Sequence, residues 1–120
     1  MNVYIYNADL FCQECGERIK AELDAKGETP ANPNNERTFD SDQYPKGPYP
    51  DGGGESDSPQ HCGSGAYCAN FYILGGIKVG VFLENKLTND GVNYVKDAIS
   101  KGGPVADFWR EKYKEMGYRV

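Results

Sequence analysis

The sequence predicts a small α+β domain, with a short antiparallel sheet, two or three helices over it, and a cross-link made by four cysteines. Two stretches alternate apolar and polar residues with the period of a strand, and three others repeat apolar residues with the period of a helix. The cysteines fall into two close pairs, Cys12-Gln-Glu-Cys15 and Cys62-Gly-Ser-Gly-Ala-Tyr-Cys68, far apart along the chain. With 120 residues the chain suits one domain, 1–120, and its 38% hydrophobic content gives a thin core that a cross-link would reinforce.

Asn2 to Tyr6 sets Val3 and Ile5 on one face and Tyr4 and Tyr6 on the other, a short strand running into the first cysteine pair. Gly16 lets backbone amides turn toward the sulfurs before a helix from about Glu17 to Lys26. Ile19 and Leu23 supply its apolar face, Ala21 and Ala25 favour it, and Gly27 stops it. From Glu28 to Gln60 the periodicity vanishes. This segment holds six of the seven prolines, the run Gly52-Gly53-Gly54, and seven acids against Arg37 and Lys46. It reads as a long acidic loop of the functional or disordered kind. Phe71 to Leu74, Gly75-Gly76 and Ile77 to Leu83 form a β-hairpin, the expected core of the sheet. Thr88 or Asn89 caps a helix from about Asp90 to Ser100 with Val92, Tyr94, Val95, Ala98 and Ile99 as its stripe. Pro104 opens a last helix, in which Phe108, Trp109, Lys112, Tyr113 and Met116 make an aromatic stripe ended by Gly117. That stripe reads as core, or as a dimer interface if a second copy covers it.

Two cysteine pairs joined across a long connection are how a chain builds one tetrahedral metal site, and soft thiolates suit zinc. The second pair has five residues between its cysteines, more than a standard knuckle, so His61 competes with Cys68 as the fourth ligand. The reading takes Cys12, Cys15, Cys62 and Cys68 for a structural zinc, with His61 adjusting the charge of a neighbouring thiolate. A disulfide framework is the first alternative. Met1 to Leu10 lacks the cationic start and apolar run of a secretory signal, and no window of about 18 apolar residues occurs, so a reducing, cytoplasmic setting and a metal are expected. A thioredoxin-like pair at Cys12 and Cys15 would need a βαβ setting and would leave Cys62 and Cys68 unexplained. Cys68 as a simple buried hydrophobe is the third alternative.

The acid excess of residues 28–60 marks a binding surface for a basic partner: Asp40, Asp42, Glu55 and Asp57 as charges, Tyr44 and Tyr49 between prolines as anchors, and Trp109 on the last helix. The plain counterpart is a loop that wraps the metal site, its Asp and Gly residues making turns. An enzyme would need zinc with an open position, or His61 with nearby carboxylates, to activate water. Four thiolates close the site, and a single histidine leaves little general-base capacity. The acid pairs Asp40/Asp42 and Glu55/Asp57 lack further oxygen ligands at defined spacing and read as surface turns. Direct nucleic-acid binding is disfavoured, because Lys112, Lys114 and Arg119 form only a small basic group beside Glu111 and Glu115. The glycine runs lack the strand and helix setting of a phosphate-binding turn.

The block Tyr44-Pro-Lys-Gly-Pro-Tyr-Pro-Asp-Gly-Gly-Gly-Glu-Ser-Asp-Ser-Pro-Gln-His-Cys62, with Cys12-x2-Cys15 before it and Phe82-Leu-Glu-Asn-Lys-Leu-Thr-x2-Gly91 after it, resembles a group of small phage and prophage proteins. The resemblance runs from about Tyr4 to Ile99. It implies a phage or mobile-element accessory protein with a zinc-ribbon-like site, working in the cytoplasm of a bacterial host, and implies no catalytic residues. Some of these proteins carry a close C-x2-C second pair where this chain has C-x5-C. The combined expectation is a non-enzymatic interaction module that binds or inhibits a host or defence factor. The runner-up readings are a zinc-dependent hydrolase and a nucleic-acid-binding zinc knuckle.

Overall fold

Asn7 and Ala8 both lie in the left-handed region, at φ 51° and 61°, and turn the chain back on itself between β1 (Val3–Tyr6) and β2 (Asp9–Cys12). Two successive left-handed residues match the twist of a tight hairpin. The sequence reading has a single strand here; the structure, a computed structural model describing residues 1–120, has a hairpin with Val3 opposite Cys12. Helix α1 then runs over Gln13–Ala25. It starts four residues before the expected Glu17, so Cys15 sits in its first turn and not on a separate knuckle. Gly16 is correspondingly a helical residue: the Tyr4 ring packs on it so closely that a Cβ would collide with that ring. Its role is close approach of side chain to backbone, not a turn.

The expected loop over 28–60 is ordered. It forms β3 (Lys46–Tyr49), antiparallel to β1 with a bulge between the pairs Val3↔Tyr49 and Ile5↔Lys46, which completes a sheet of order β2-β1-β3. It also forms β4 (Glu55–Ser56), which pairs in parallel with β7 (Lys86–Leu87). Backbone bonds from Asn7 to Ser41, Gly52 to Met1 and Thr88 to Ser56, at 2.8 to 3.1 Å, tie it to the rest. Periodicity fails here because each strand is only two to four residues long and the satisfied groups are mostly backbone.

The hairpin of β5 (Tyr72–Leu74) and β6 (Ile77–Val79) turns on Gly75 and Gly76, at φ 58° and 80°, as expected. It is not the sheet core: Ile73 and Ile77 are 64% and 67% exposed. The strand also stops at Val79, and the extended run Val81-Phe82-Leu83 is the true keystone. Alternate side chains point opposite ways. Val81 and Leu83 join Val3 and the four cysteines in one buried cluster, while Phe82 joins Leu87, Val95 and Tyr113 in another. A third cluster gathers Leu23, Phe39 and Tyr44.

Helix α2 (Asn89–Lys101) is capped by the Thr88 hydroxyl, which accepts from the Gly91 amide at 3.1 Å. Helix α3 (Pro104–Glu115) lays Phe108, Trp109 and Tyr113 against Phe82 and α2. The aromatic stripe is therefore interior packing within one chain. Beneath it lies Asn85, fully buried, whose Oδ1 accepts from the Gln60 amide and the Tyr113 hydroxyl and whose Nδ2 donates to the Ser58 and Lys86 carbonyls.

Candidate metal centre

Four elements deliver four sulfurs to one point. Cys12 ends β2, and Cys15, three residues on, comes from the first turn of α1. Cys62 is fixed by backbone bonds on both sides: its own N–H donates to Val81 O at 2.8 Å, and that of Gly63 to Leu10 O at 2.7 Å. The segment passes so close to Gly80 that a Cβ there would strike the Cys62 carbonyl. Between Cys62 and Cys68 the chain makes a 3-10 turn over Gly65–Tyr67, closed by the Cys68 amide on Gly65 O at 3.0 Å. That turn takes up the extra residues of the wide spacing and brings Cys68 back to the group.

The four Sγ atoms lie within 4.8 Å of one another, and Cys12 Sγ and Cys68 Sγ are 3.8 Å apart. A tetrahedral ion with metal–sulfur bonds of about 2.3 Å has sulfur–sulfur edges of about 3.8 Å. All four cysteines are free thiols at 0 to 3% exposure, packed with Val3, Val81 and Leu83. Donors converge on the sulfurs. The amides of Cys12, Ala69 and Asn70 donate to Cys62, Cys15 and Cys68 respectively, each at 3.4 Å. The Arg18 guanidinium reaches Cys15 Sγ at 3.6 Å and the Tyr67 carbonyl at 3.2 Å. Such donors favour thiolate over thiol.

Burial pushes the Cys12 and Cys62 thiols up, since a dry site opposes an isolated negative charge. Burial acts on Cys15 too, but hydrogen bonds from the Ala69 amide, the Ser64 side chain and the Cys12 and Cys62 thiols outweigh it and bring Cys15 down to about 7. A divalent cation is the partner that would hold all four sulfurs as thiolates in this setting. The donor set fits a soft tetrahedral ion, and with four sulfurs around it such an ion keeps no position for water.

His61 stands apart from the sulfurs. Its Nδ1–H donates to Gly80 O at 2.8 Å and its Nε2 accepts from Trp109 Nε1–H at 2.9 Å, so both ring nitrogens are engaged. Burial lowers its pKa, with the Gly80 carbonyl opposing, in keeping with a neutral ring linking the second cysteine pair to α3. The group of clustered metal-ligating side chains is Cys12, Cys15, Cys62 and Cys68 without it.

The residues expected to meet a partner divide. Asp40, Asp42, Glu55 and Asp57 are exposed and are not gathered with one another into a metal-ligating cluster. Asp57 accepts from the Thr88 hydroxyl at 2.5 Å beside the α2 cap. Tyr44 is 4% exposed, set edge-on against Phe39 with its hydroxyl donating to Asp24, so it is a core residue and no anchor for a partner. Tyr49 is half-buried and donates to Glu36; Trp109 is half-buried and committed to His61. Arg18 and Asn85 escaped the sequence reading. Arg18 had a usable signal, one helical turn beyond Cys15, whereas Asn85 had none.

No protein-family model, curated protein or solved structure matches this chain. No helix is long and apolar enough to cross a membrane.

Proposed function

We propose that this chain is a non-enzymatic protein-interaction module held together by one structural zinc ion, an accessory protein of a phage or mobile element that binds a host or defence factor. The observation that carries the reading is the closed group of four buried sulfurs, with the only histidine engaged elsewhere. A closed thiolate site stabilises a fold and activates no water. The acid-rich stretch 28–60 supplies the recognition surface through exposed Asp40, Asp42, Glu55 and Asp57. Because that stretch is already ordered, a basic partner would meet fixed charges with little further loss of entropy.

Native mass spectrometry of protein purified without added metal tests the first half. One zinc per chain is expected, lost in Cys68→Ser and kept in His61→Ala; the reverse pattern would sink the assignment. Capture of a basic partner from the bacterial host tests the second half. It should fall when Asp40, Asp42, Glu55 and Asp57 are replaced by Asn or Gln, and capture unchanged by those replacements would exclude the acidic surface.

A further inference from the structure

We propose that a second copy of this chain adds to the outer edge of β5, across a two-fold axis at Ile73. The hairpin and the turn before it hold four of the seven large hydrophobic residues left exposed: Phe71 and Ile73 on the β5 side, and Ile77 on β6 with Tyr67 on the turn that packs against β6. One face of the hairpin is covered in part, by Tyr72 against Phe108 at 5.2 Å between ring centres and by Gly75 against Pro104, with Ile77 left exposed on it. The opposite face carries Phe71, Ile73 and Lys78, the ammonium lying 4.8 Å from the centre of the Phe71 ring. The β5 edge is open beside it.

The register decides which backbone groups that edge offers. Leu74↔Ile77 flanks the two-residue turn, followed by Ile73↔Lys78 and Tyr72↔Val79. In such a hairpin the pair at the turn exchanges hydrogen bonds and the next pair does not. The N–H and C=O of Ile73 therefore point away from β6, and no turn, loop or cap hydrogen bond uses them. A second β5 running antiparallel satisfies both at once, with Ile73 facing Ile73 and Tyr72 facing Leu74. An isologous contact needs this kind of self-complementarity.

Charge selects the same edge. The stretch Ser58 to Leu83 holds no carboxylate and one charged residue, Lys78, in a chain of net charge −5. The α3 side chains beside Leu74, Asp107, Arg110, Glu111 and Lys114, balance in charge, so two acidic copies meet there with little repulsion. Pairing through β6 would instead set Lys78 against Lys78, an unfavourable cross-strand pair. Pairing through β5 leaves the two lysines three strand spacings apart, about 14 Å, beyond the physiological screening length of about 8 Å. With three residues in each β5, the pairing is weak and depends on concentration.

Sedimentation velocity of the purified full chain, from micromolar to millimolar, tests this with Ile73→Lys, Ile73→Pro and Lys78→Glu in parallel. Far-UV circular dichroism identical to wild type establishes that each variant is folded. Wild type should pass from monomer to dimer. Ile73→Lys, by facing two like charges across the axis, should raise Kd by about tenfold or more. Ile73→Pro removes the outward N–H together with the isoleucine side chain and should act in the same direction; if it does not fold, Ile73→Lys decides alone. Lys78→Glu should change Kd by less than about threefold, given screening over that separation. Wild type that stays monomeric throughout, a dimer indifferent to Ile73→Lys, or a dimer strongly altered by Lys78→Glu would overturn the proposal. Because the readout is oligomeric state, its failure leaves the zinc and partner assignments to their own tests.

Discussion

Asn85→Ala is expected to be among the most damaging single substitutions outside the cysteines. The side chain is fully buried and makes four hydrogen bonds: from the Gln60 amide at 2.8 Å, from the Tyr113 hydroxyl at 3.0 Å, and to the Ser58 and Lys86 carbonyls at 3.1 Å each. It thereby joins the segment before Cys62 to β7 and α3. A buried hydrogen bond contributes about 1 kcal/mol net, and a stranded partner costs about 1 to 3 kcal/mol. Water entering the truncated site recovers part of the loss. The sum falls at about 3 to 4 kcal/mol, a large share of the roughly 5 to 15 kcal/mol typical of a domain. Urea unfolding monitored by Trp109 fluorescence measures it, with unchanged m-value as the check that the same surface unfolds. Tyr113→Phe removes one of the four bonds and should cost only about 1 kcal/mol. A loss below about 1 kcal/mol for Asn85→Ala, or equal losses for the two variants, would refute this account of the site.

Gly16→Ala tests the Tyr4 contact by its sign. Alanine in an open helix position stabilises by about 1 kcal/mol, whereas here the new Cβ meets the Tyr4 ring, so thermal melting should show a loss of about 1 to 3 kcal/mol. Thr88→Ala removes the α2 cap and the Asp57 contact and should cost about 1 kcal/mol in the same assay, with no change in metal content. His61→Ala strands the Trp109 indole N–H and the Gly80 carbonyl, and should red-shift Trp109 emission and destabilise by about 1 to 3 kcal/mol. A variant indistinguishable from wild type in emission would show that the His61–Trp109 bond does not hold α3.

The parts of the fold with long periodic signals were legible. Thr88 as cap, Val92, Val95 and Ile99 of the α2 stripe, Pro104 at the start of α3 and the Gly75-Gly76 turn all stand where local chemistry puts them, while Tyr94, expected in that stripe, is exposed. The cysteine pairs announced a cluster, since two close pairs far apart in the chain have the spacing from which one tetrahedral site is built. What stayed hidden was short or non-local. The strands β2, β3 and β4 span two to four residues and are defined by their partners' backbone, not by their own pattern. The hairpin misled as a core because Ile73 and Ile77 look interior by composition, and the burial of Tyr44 depends on Leu23 and Phe39 arriving from separate elements. Gly16 invited a turn, and only the position of the Tyr4 ring explains it otherwise. Asn85 stands between Glu84 and Lys86, where sequence cannot distinguish a buried hub from a solvated turn.

X-ray absorption at the zinc edge on protein purified without added metal tests the closed four-thiolate centre most directly, because it reports ligand type and number together. The arrangement of Cys12, Cys15, Cys62 and Cys68 predicts four sulfur scatterers at about 2.3 Å and no nitrogen or oxygen neighbour. A shell with a nitrogen or oxygen at about 2.0 to 2.1 Å would contradict it, pointing to His61 or to an open position for water.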